Sequence, residues 1–305
     1  MSRYLLKRLL MVVPVMLGVS LIVFLMMHVG GGDPALLLLG ERATEQELYT
    51  LRRELGLLEP MPVQFGRFLL RAIQGDLGRS IRSRRPVVAE ISDRMPATIQ
   101  LASASMLVAT VVGVTVGVIS AVKPNTLLDD VATTGALAGL AMPVFWMGLM
   151  LQIVFAVHLG WLPASGRGGL QHLILPGVTL STGTAALLLR MTRSAMLEII
   201  RMDYIRTARS KGLGERVVIY RHALRNALVP VVTVIGLAFA ALMGGAVITE
   251  SVFAWPGVGA FAIDAIRAKD MPVVQGAVLM LAFAAAAVNL VVDVVYVFID
   301  PRIRT

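Results

Sequence analysis

Residues 203–213 read Asp203-Tyr-Ile-Arg-Thr-Ala-Arg-Ser-Lys-Gly-Leu213, a basic, proline-free stretch with a glycine next to its end. It lies in a longer polar island. Between Arg190 and Arg225 nine basic residues (Arg190, Arg193, Arg201, Arg206, Arg209, Lys211, Arg216, Arg221 and Arg225) face only Glu198, Asp203 and Glu215. Around the island charge almost disappears. The runs Leu9 to Gly32, Thr98 to Val122, Val131 to Val157, Gly168 to Leu189, Asn226 to Thr249 and Met271 to Val292 hold no Asp, Glu, Lys or Arg. About 20 residues of helix cross roughly 30 Å of hydrocarbon, so these runs predict six spans. The composition agrees: 305 residues, 57% hydrophobic, 15% charged, mean hydropathy +0.78, against about 25% charged in a typical soluble domain. The runs do not alternate in polarity as barrel strands do. The fold class expected is all-α, a polytopic membrane protein with six transmembrane helices.

Orientation follows from the basic residues of short loops. Arg3, Lys7 and Arg8, then Lys123, then the island, then Arg302 and Arg304 fall on one side if both termini are cytoplasmic. The opposite short loops carry only Arg167 in one and Arg267 with Lys269 in the other. Residues 33–97 carry ten arginines and nine acidic residues and are long, so they weigh little in that balance. The N-terminal run is expected to span rather than to be cleaved, since no small-x-small site follows it. The net charge of +9 does not imply nucleic acid, because the basic residues sit mostly where the positive-inside rule puts them.

Reactive chemistry is missing from the sequence. No cysteine is present, so thiolate metal sites, disulfides and cysteine nucleophiles are excluded. No Walker loop occurs. His28, His158, His172 and His222 are far apart and lack metal-ligand spacing. No catalytic residue, cofactor site or metal site is expected.

Several segments carry local expectations. Residues 36–57 read as an external helix with Leu48, Leu51 and Leu55 on one stripe. A second amphipathic piece spans Val63 to Ile73, Gly75-Asp-Leu-Gly78 reads as a turn, and Pro86 and Pro96 bracket another short helix. Together 33–97 form an external helical cap, either a packed lid or a docking surface. Pro143 interrupts the third span, as a static kink or a gate hinge. Pro176 shortens the fourth. Gly236, Ala240 and Gly244 give the fifth a small-residue face. Asp293 in the sixth is a structural anchor or, less readily, a relay. The segment Glu250 to Ala260 is an external loop that folds back on the bundle, with Phe253, Trp255, Pro256 and Gly257 as pathway or gate candidates and interface anchoring as the alternative for Trp255. The island predicts two helices meeting near Gly212, one running in to Lys211 and one leaving from Glu215.

In these segments the chain resembles the inner-membrane permeases of peptide-type ATP-binding cassette importers, the group that includes dipeptide, oligopeptide, glutathione and nickel systems. The likeness covers essentially the whole chain. It rests on Arg3-Tyr-Leu-Leu-Lys-Arg8, Gly32-Asp-Pro34, Gly75-Asp-Leu-Gly-Arg-Ser80, the 203–213 stretch followed by Arg221-His-Ala-Leu-Arg-Asn-Ala-Leu228, Phe253-Ala-Trp-Pro-Gly-Val-Gly259 and Asp300-Pro-Arg-Ile-Arg304. The resemblance implies a type I importer permease fold in the bacterial inner membrane. It implies an N-terminal interface segment and first span at 1–32, a cap at 33–97, and a permease core at 98–305 with a coupling loop at about 190–228. It implies a second homologous permease and two cytoplasmic ATPases that use ATP and Mg. It also implies an external binding protein that delivers substrate. Asp203, Tyr204, Arg206, Thr207, Ala208, Arg209, Lys211, Gly212 and Leu213 become the ATPase-coupling candidates. Arg206-Thr-Ala208 stands where the wider superfamily has Glu-Ala-Ala, and Gly212 matches its glycine. Leu224 is followed by Arg225 rather than proline. Di- or oligopeptides are the expected substrate, with glutathione or a nickel chelate as alternatives. A gradient-driven secondary transporter is a rival class, but neither inverted repeats nor a second mid-membrane carboxylate supports it.

Overall fold

The computed structural model describes residues 2–30, 34–40 and 43–299. Residues 31–33 and 300–304, which carry parts of two of the motifs above, lie outside the described residues. Among the described residues the regular secondary structure is helical, apart from one isolated bridge between Arg79 and Pro86. In chain order the helices are α1 Ser2–Gly30, α2 Pro34–Leu39, α3 Glu45–Glu54, α4 Met61–Ile73 and α5 Val87–Val122. There follow α6 Leu127–Ala141, α7 Val144–Leu151 with a π-helical extension Gln152–His158, α8 Gln171–Ile200, α9 Asp203–Ser210 and α10 Glu215–Val217. A second π-helical segment, Val218–Ala223, leads into α11 Leu224–Val252, and α12 Val258–Arg267 and α13 Met271–Ile299 close the chain.

Five stretches are long and apolar enough to cross a bilayer: Arg8–Met26, Val87–Val122, Gln171–Ile200, Glu215–Val252 and Met271–Val294. The sixth expected span is a pair, Leu127–Ala141 and Val144–His158, bent by 108°. Pro143 therefore does more than kink one helix. Met142 is extended (ψ 129) and Pro143 is the N-cap of α7: proline cannot donate to the preceding turn and disfavours a helical backbone at the residue before it. Two other prolines are absorbed. Pro96 lies inside α5 and Pro176 inside α8, so neither the short helix expected between Pro86 and Pro96 nor the shortened fourth span is present. Each costs one backbone bond, and the long apolar helix continues past it.

The chain divides into two compact units. One comprises, of the described residues, 98–255 and 285–299. Its organising contact joins α5 to α8. A Cβ on Gly113 would stand 2.7 Å from the Ala185 carbonyl oxygen, and one on Gly117 would stand 2.8 Å from that of Leu189. Only glycine admits so close an approach, which in hydrocarbon is how helices gain contact energy without water to expel. Ala109, Leu188 and Val231 bring α11 into the same core, and α6 and α7 also pack on α8. Gly236 lies against the Val292 side chain, whereas Gly244 has open space beside it, so the predicted small-residue face is used on one side only.

The other unit comprises 2–97 and 256–284. Phe24 of α1 meets Phe65 and Phe68 of α4 at ring distances of 5.4 and 6.0 Å. Val87 and Ile91 form a core with Val258, Ala262, Ala265, Val273, Val274 and Ala277. Buried Asp270 accepts hydrogen bonds from the Ser80 hydroxyl (2.5 Å) and the Ile81 and Arg82 amides. The single helix expected over 36–57 is two, α2 and α3. Thr44 and Glu47 form a capping box that starts α3 afresh, and their hydrogen bonds hold the Glu47 carboxyl below its usual range.

The α5–α8 contact yields a direct test. Gly117→Leu should overpack the interface and cost about 1–3 kcal/mol, read as a lower melting temperature in detergent. Gly135→Ala, with nothing within 4 Å of its added carbon, should leave melting unchanged.

Candidate functional site

The island at 190–228 is built on an apolar anchor. α8 runs past the end of its charge-free stretch to Ile200, and the chain turns at Arg201 and Met202 before α9 begins. The incoming arm is thus broken once, rather than helical through to Lys211. α9 places Ile205 and Ala208 one turn apart on its buried face. They pack with Val118 and Ala121 of α5, Met196 of α8, Val218, Ile219 and Ala223 of the second π-helical segment, and Ala227 of α11. Asp203 sits in the first turn and Arg209 in the last, both favourable to the helix dipole.

The outer face carries the rest. Of the nine coupling candidates, Ala208 is buried and Asp203, Tyr204, Arg206, Thr207, Arg209, Lys211, Gly212 and Leu213 are exposed. Gly212 has φ +78 and its amide donates to the Arg209 carbonyl at 2.9 Å. That backbone conformation is one L side chains rarely adopt. Across the turn Arg209 grips Glu215 with Nε (3.1 Å) and Nη2 (2.7 Å), and this hydrogen-bonded carboxylate holds the guanidinium above its usual range. Both partners are substantially solvated, so the pair shapes the turn more than it stabilises the protein. The Asn226 side-chain amide donates to the Tyr204 hydroxyl at 2.8 Å, tying α9 to α11. The result is a rigid bracket presenting cations beside exposed Met202, Tyr204, Leu213, Val217 and Tyr220, a mixed apolar and basic face of the kind proteins dock on. Glu215 and Asn226, which complete the bracket, were not among the sequence candidates. Their partners lie six and 22 residues away, and only the folded turn brings them together.

The second candidate region lies at the far end of α11. Glu250, expected in a loop, is helical and buried, and accepts a hydrogen bond from the Thr98 hydroxyl at 2.6 Å. The helix ends at Val252. Phe253 and Trp255 then turn inward, each 1% exposed. The Phe253 carbonyl accepts from the Gly166 amide at 2.8 Å, and the Gln152 side chain donates to the Val252 and Ala164 carbonyls. Arg167 donates to Gln100 Oε1 and lies 5.9 Å from the Trp255 ring centre. Pro143 and Pro256 are exposed, and Gly257 is the N-cap of α12. Among the described residues no group of three His, Cys, Asp or Glu side chains could hold a metal ion.

Comparison with known proteins places this geometry in context. Residues 113–305 match the model for binding-protein-dependent transport system inner membrane components, and residues 1–102 match the N-terminal model of the same systems. The dipeptide transport system permease protein of Alkalihalophilus pseudofirmus is 42% identical, with 100% of each chain covered. The glutathione transport system permease proteins of Escherichia coli K12 and Salmonella typhimurium are 43% identical, over 100% of this chain and 99% of theirs. Among solved structures, a chain of a methionine ATP-binding cassette transporter in an inward-facing conformation superposes with a TM-score of 0.59 at 18% identity, covering 69% of this chain and 96% of that one. A chain of an amino-acid transporter of the same class gives 0.52 at 14% identity, with 70% and 94% covered.

The anchor beneath the bracket can be tested alone. Ile205→Ala removes the largest buried side chain of α9 and should cost about 2–4 kcal/mol locally. Amide hydrogen exchange across 203–212 should accelerate at least tenfold while that of α5 and α8 is unchanged.

Proposed function

The chain belongs to the family of inner-membrane components of binding-protein-dependent transport systems, as a permease subunit of a peptide-type ATP-binding cassette importer, and from that premise we propose how its parts divide the work. A permease subunit performs no bond chemistry. This chain forms half of a translocation pathway, and a second homologous permease forms the other half. Two ATPase subunits bind ATP and Mg in the cytoplasm. An external binding protein delivers the substrate. Both termini and the 190–228 loop face the cytoplasm, residues 1–32 form the interface segment and first span, the cap at 33–97 faces outward, and 98–305 form the core.

The observation that carries this reading is the bracket. Ile205 and Ala208 fasten α9 to α5, α8 and α11, while Arg206, Arg209, Lys211 and Leu213 remain exposed. A piece anchored on several membrane helices and open to solvent suits a part that is pushed by an ATPase. At the other end, packed Phe253 and Trp255 and the break at Pro143 form a closed gate that opens when the ATPases move the bracket.

The substrate is a short peptide, and we place glutathione first. The sequence reading put ordinary di- and oligopeptides ahead, but relatives named for glutathione transport match the whole chain at slightly higher identity than the one named for dipeptides. The lack of cysteine, and of a metal-binding cluster among the described residues, tells against a nickel site in this chain.

Three outcomes follow. Liposomes carrying this chain alone should show no uptake, and robust uptake without partners would sink the reading. Gly212→Val forces a β-branched residue to φ +78 and should cost about 1–3 kcal/mol of local strain. It should lower transport-linked ATP turnover in the complete complex while capture by the binding protein is unaffected. Calorimetry on the cognate binding protein should show selection for glutathione over dipeptides. A preference for dipeptides would reverse the order of substrates and leave the importer reading standing.

A further inference from the structure

Asp129 lies in the first turn of α6 with its side chain 3% exposed, and four donors converge on its carboxylate. These are the Ser120 hydroxyl, the Asn125 amide at 3.0 Å, and Arg193 Nε and Nη2 at 2.7 Å each. Arg193 Nε also reaches the Ser120 oxygen at 3.1 Å, and its side chain is 27% exposed. The cluster joins the end of α5, the start of α6 and the C-terminal third of α8. Nothing in the importer reading assigns it a task.

Its position supplies one. Arg193 is three residues before Met196, and Ser120 lies between Val118 and Ala121. Those neighbours form the apolar core on which Ile205 and Ala208 of α9 stand. α6, by contrast, is attached along a narrow strip that packs on α8 through Ala132, Ala136 and Gly139. Asp129 and Ala136 are its only buried residues, while Leu127, Leu128, Val131 and Leu137 are exposed. Ala136 makes a small contact with Ala186 and Leu189. At the start of α6 the one buried side chain is therefore this carboxylate. An apolar patch would hold as well or better, since a buried ion pair gives little net stability. Unlike a patch, the bidentate pair is directional. A slip of one residue turns α6 by about 100° and breaks all four hydrogen bonds together.

We infer that Asp129 and Arg193 are a positioning pair that clamps α6 to the block carrying α9, so that displacement of the bracket reaches α6 and, through it, the break at Met142 and Pro143. The inference rests on the importer reading. Loss of the clamp leaves the bracket able to dock but unable to move the gate.

The test uses the complete complex in liposomes with its binding protein, probed with glutathione and a dipeptide. For wild type, Arg193→Met and Arg193→Lys, three quantities are read: complex assembled, basal ATP hydrolysis per complex, and its stimulation by the loaded binding protein. Arg193→Met should keep basal hydrolysis within twofold and lower the stimulation ratio at least fivefold. Arg193→Lys, which retains the charge and one donor, should recover part of it. A stimulation ratio within twofold of wild type in assembled Arg193→Met overturns the proposal, even if less complex forms, because a purely structural pair changes yield and not the ratio. If Arg193→Met assembles poorly, Asp129→Leu with Arg193→Met replaces the directional pair by apolar contact and is held to the same criterion. A wild-type complex that neither probe stimulates overturns the importer reading and the clamp with it.

Discussion

Gly113 and Gly117 on one face of α5 let that helix lie against the backbone of α8, and the core unit follows from this approach. Hydrocarbon does not reward the burial of apolar surface as water does, so helices in a bilayer are held by how closely they fit. With α8 fixed beside α5, residues such as Leu188 can meet α11, and α6 and α7 find a surface to rest on. α8 is also the helix that carries the fold out of the membrane, since it continues past its last apolar run to Ile200. One close contact thus sets both the packing of the spans and the place where the polar island emerges.

The island then makes mechanical use of that exit. A helix leaving a membrane can fray, or it can turn and come back. Here it turns twice, at Arg201–Met202 and at Gly212, and the intervening helix is pressed onto the bundle by Ile205 and Ala208. The exposed charges belong to a body packed on α5, α8 and α11. A transport subunit that does no bond chemistry needs this kind of stiffness more than it needs reactive groups.

Much of this was legible in the chain. The charge-free runs located the spans because a charge in hydrocarbon is expensive and its absence is conspicuous. Gly212 was legible because a glycine closing a polar helix announces a turn. The misplaced details share a cause. Pro96 and Pro176 were read as breaks, but a long apolar helix loses one hydrogen bond at a proline and keeps the rest. Pro143 was read as a kink or a hinge within one span and is a 108° break into a new helix, a difference set by Met142 adopting an extended backbone. Glu250 was read as part of the loop that Pro256 and Gly257 signal, whereas Thr98, 152 residues away, gives it a buried helical place and a partner. Asp129 and Arg193 drew no notice for the same reason: they are 64 residues apart, and a pair that distant leaves no pattern in sequence.

The π-helical segment at Val218–Ala223 has a consequence for how this chain can vary. A π turn holds more residues than an α turn and is formed where one extra residue is accommodated without breaking the helix. Removing a single residue there would relax the segment to α geometry and rotate everything before it by about 100° about the axis of α11. The bracket would then point to a different side of the helix, with its own composition intact. The number of residues in this segment works as a dial setting, so related chains that differ by one insertion or deletion here would present the same exposed residues on another side of the bundle.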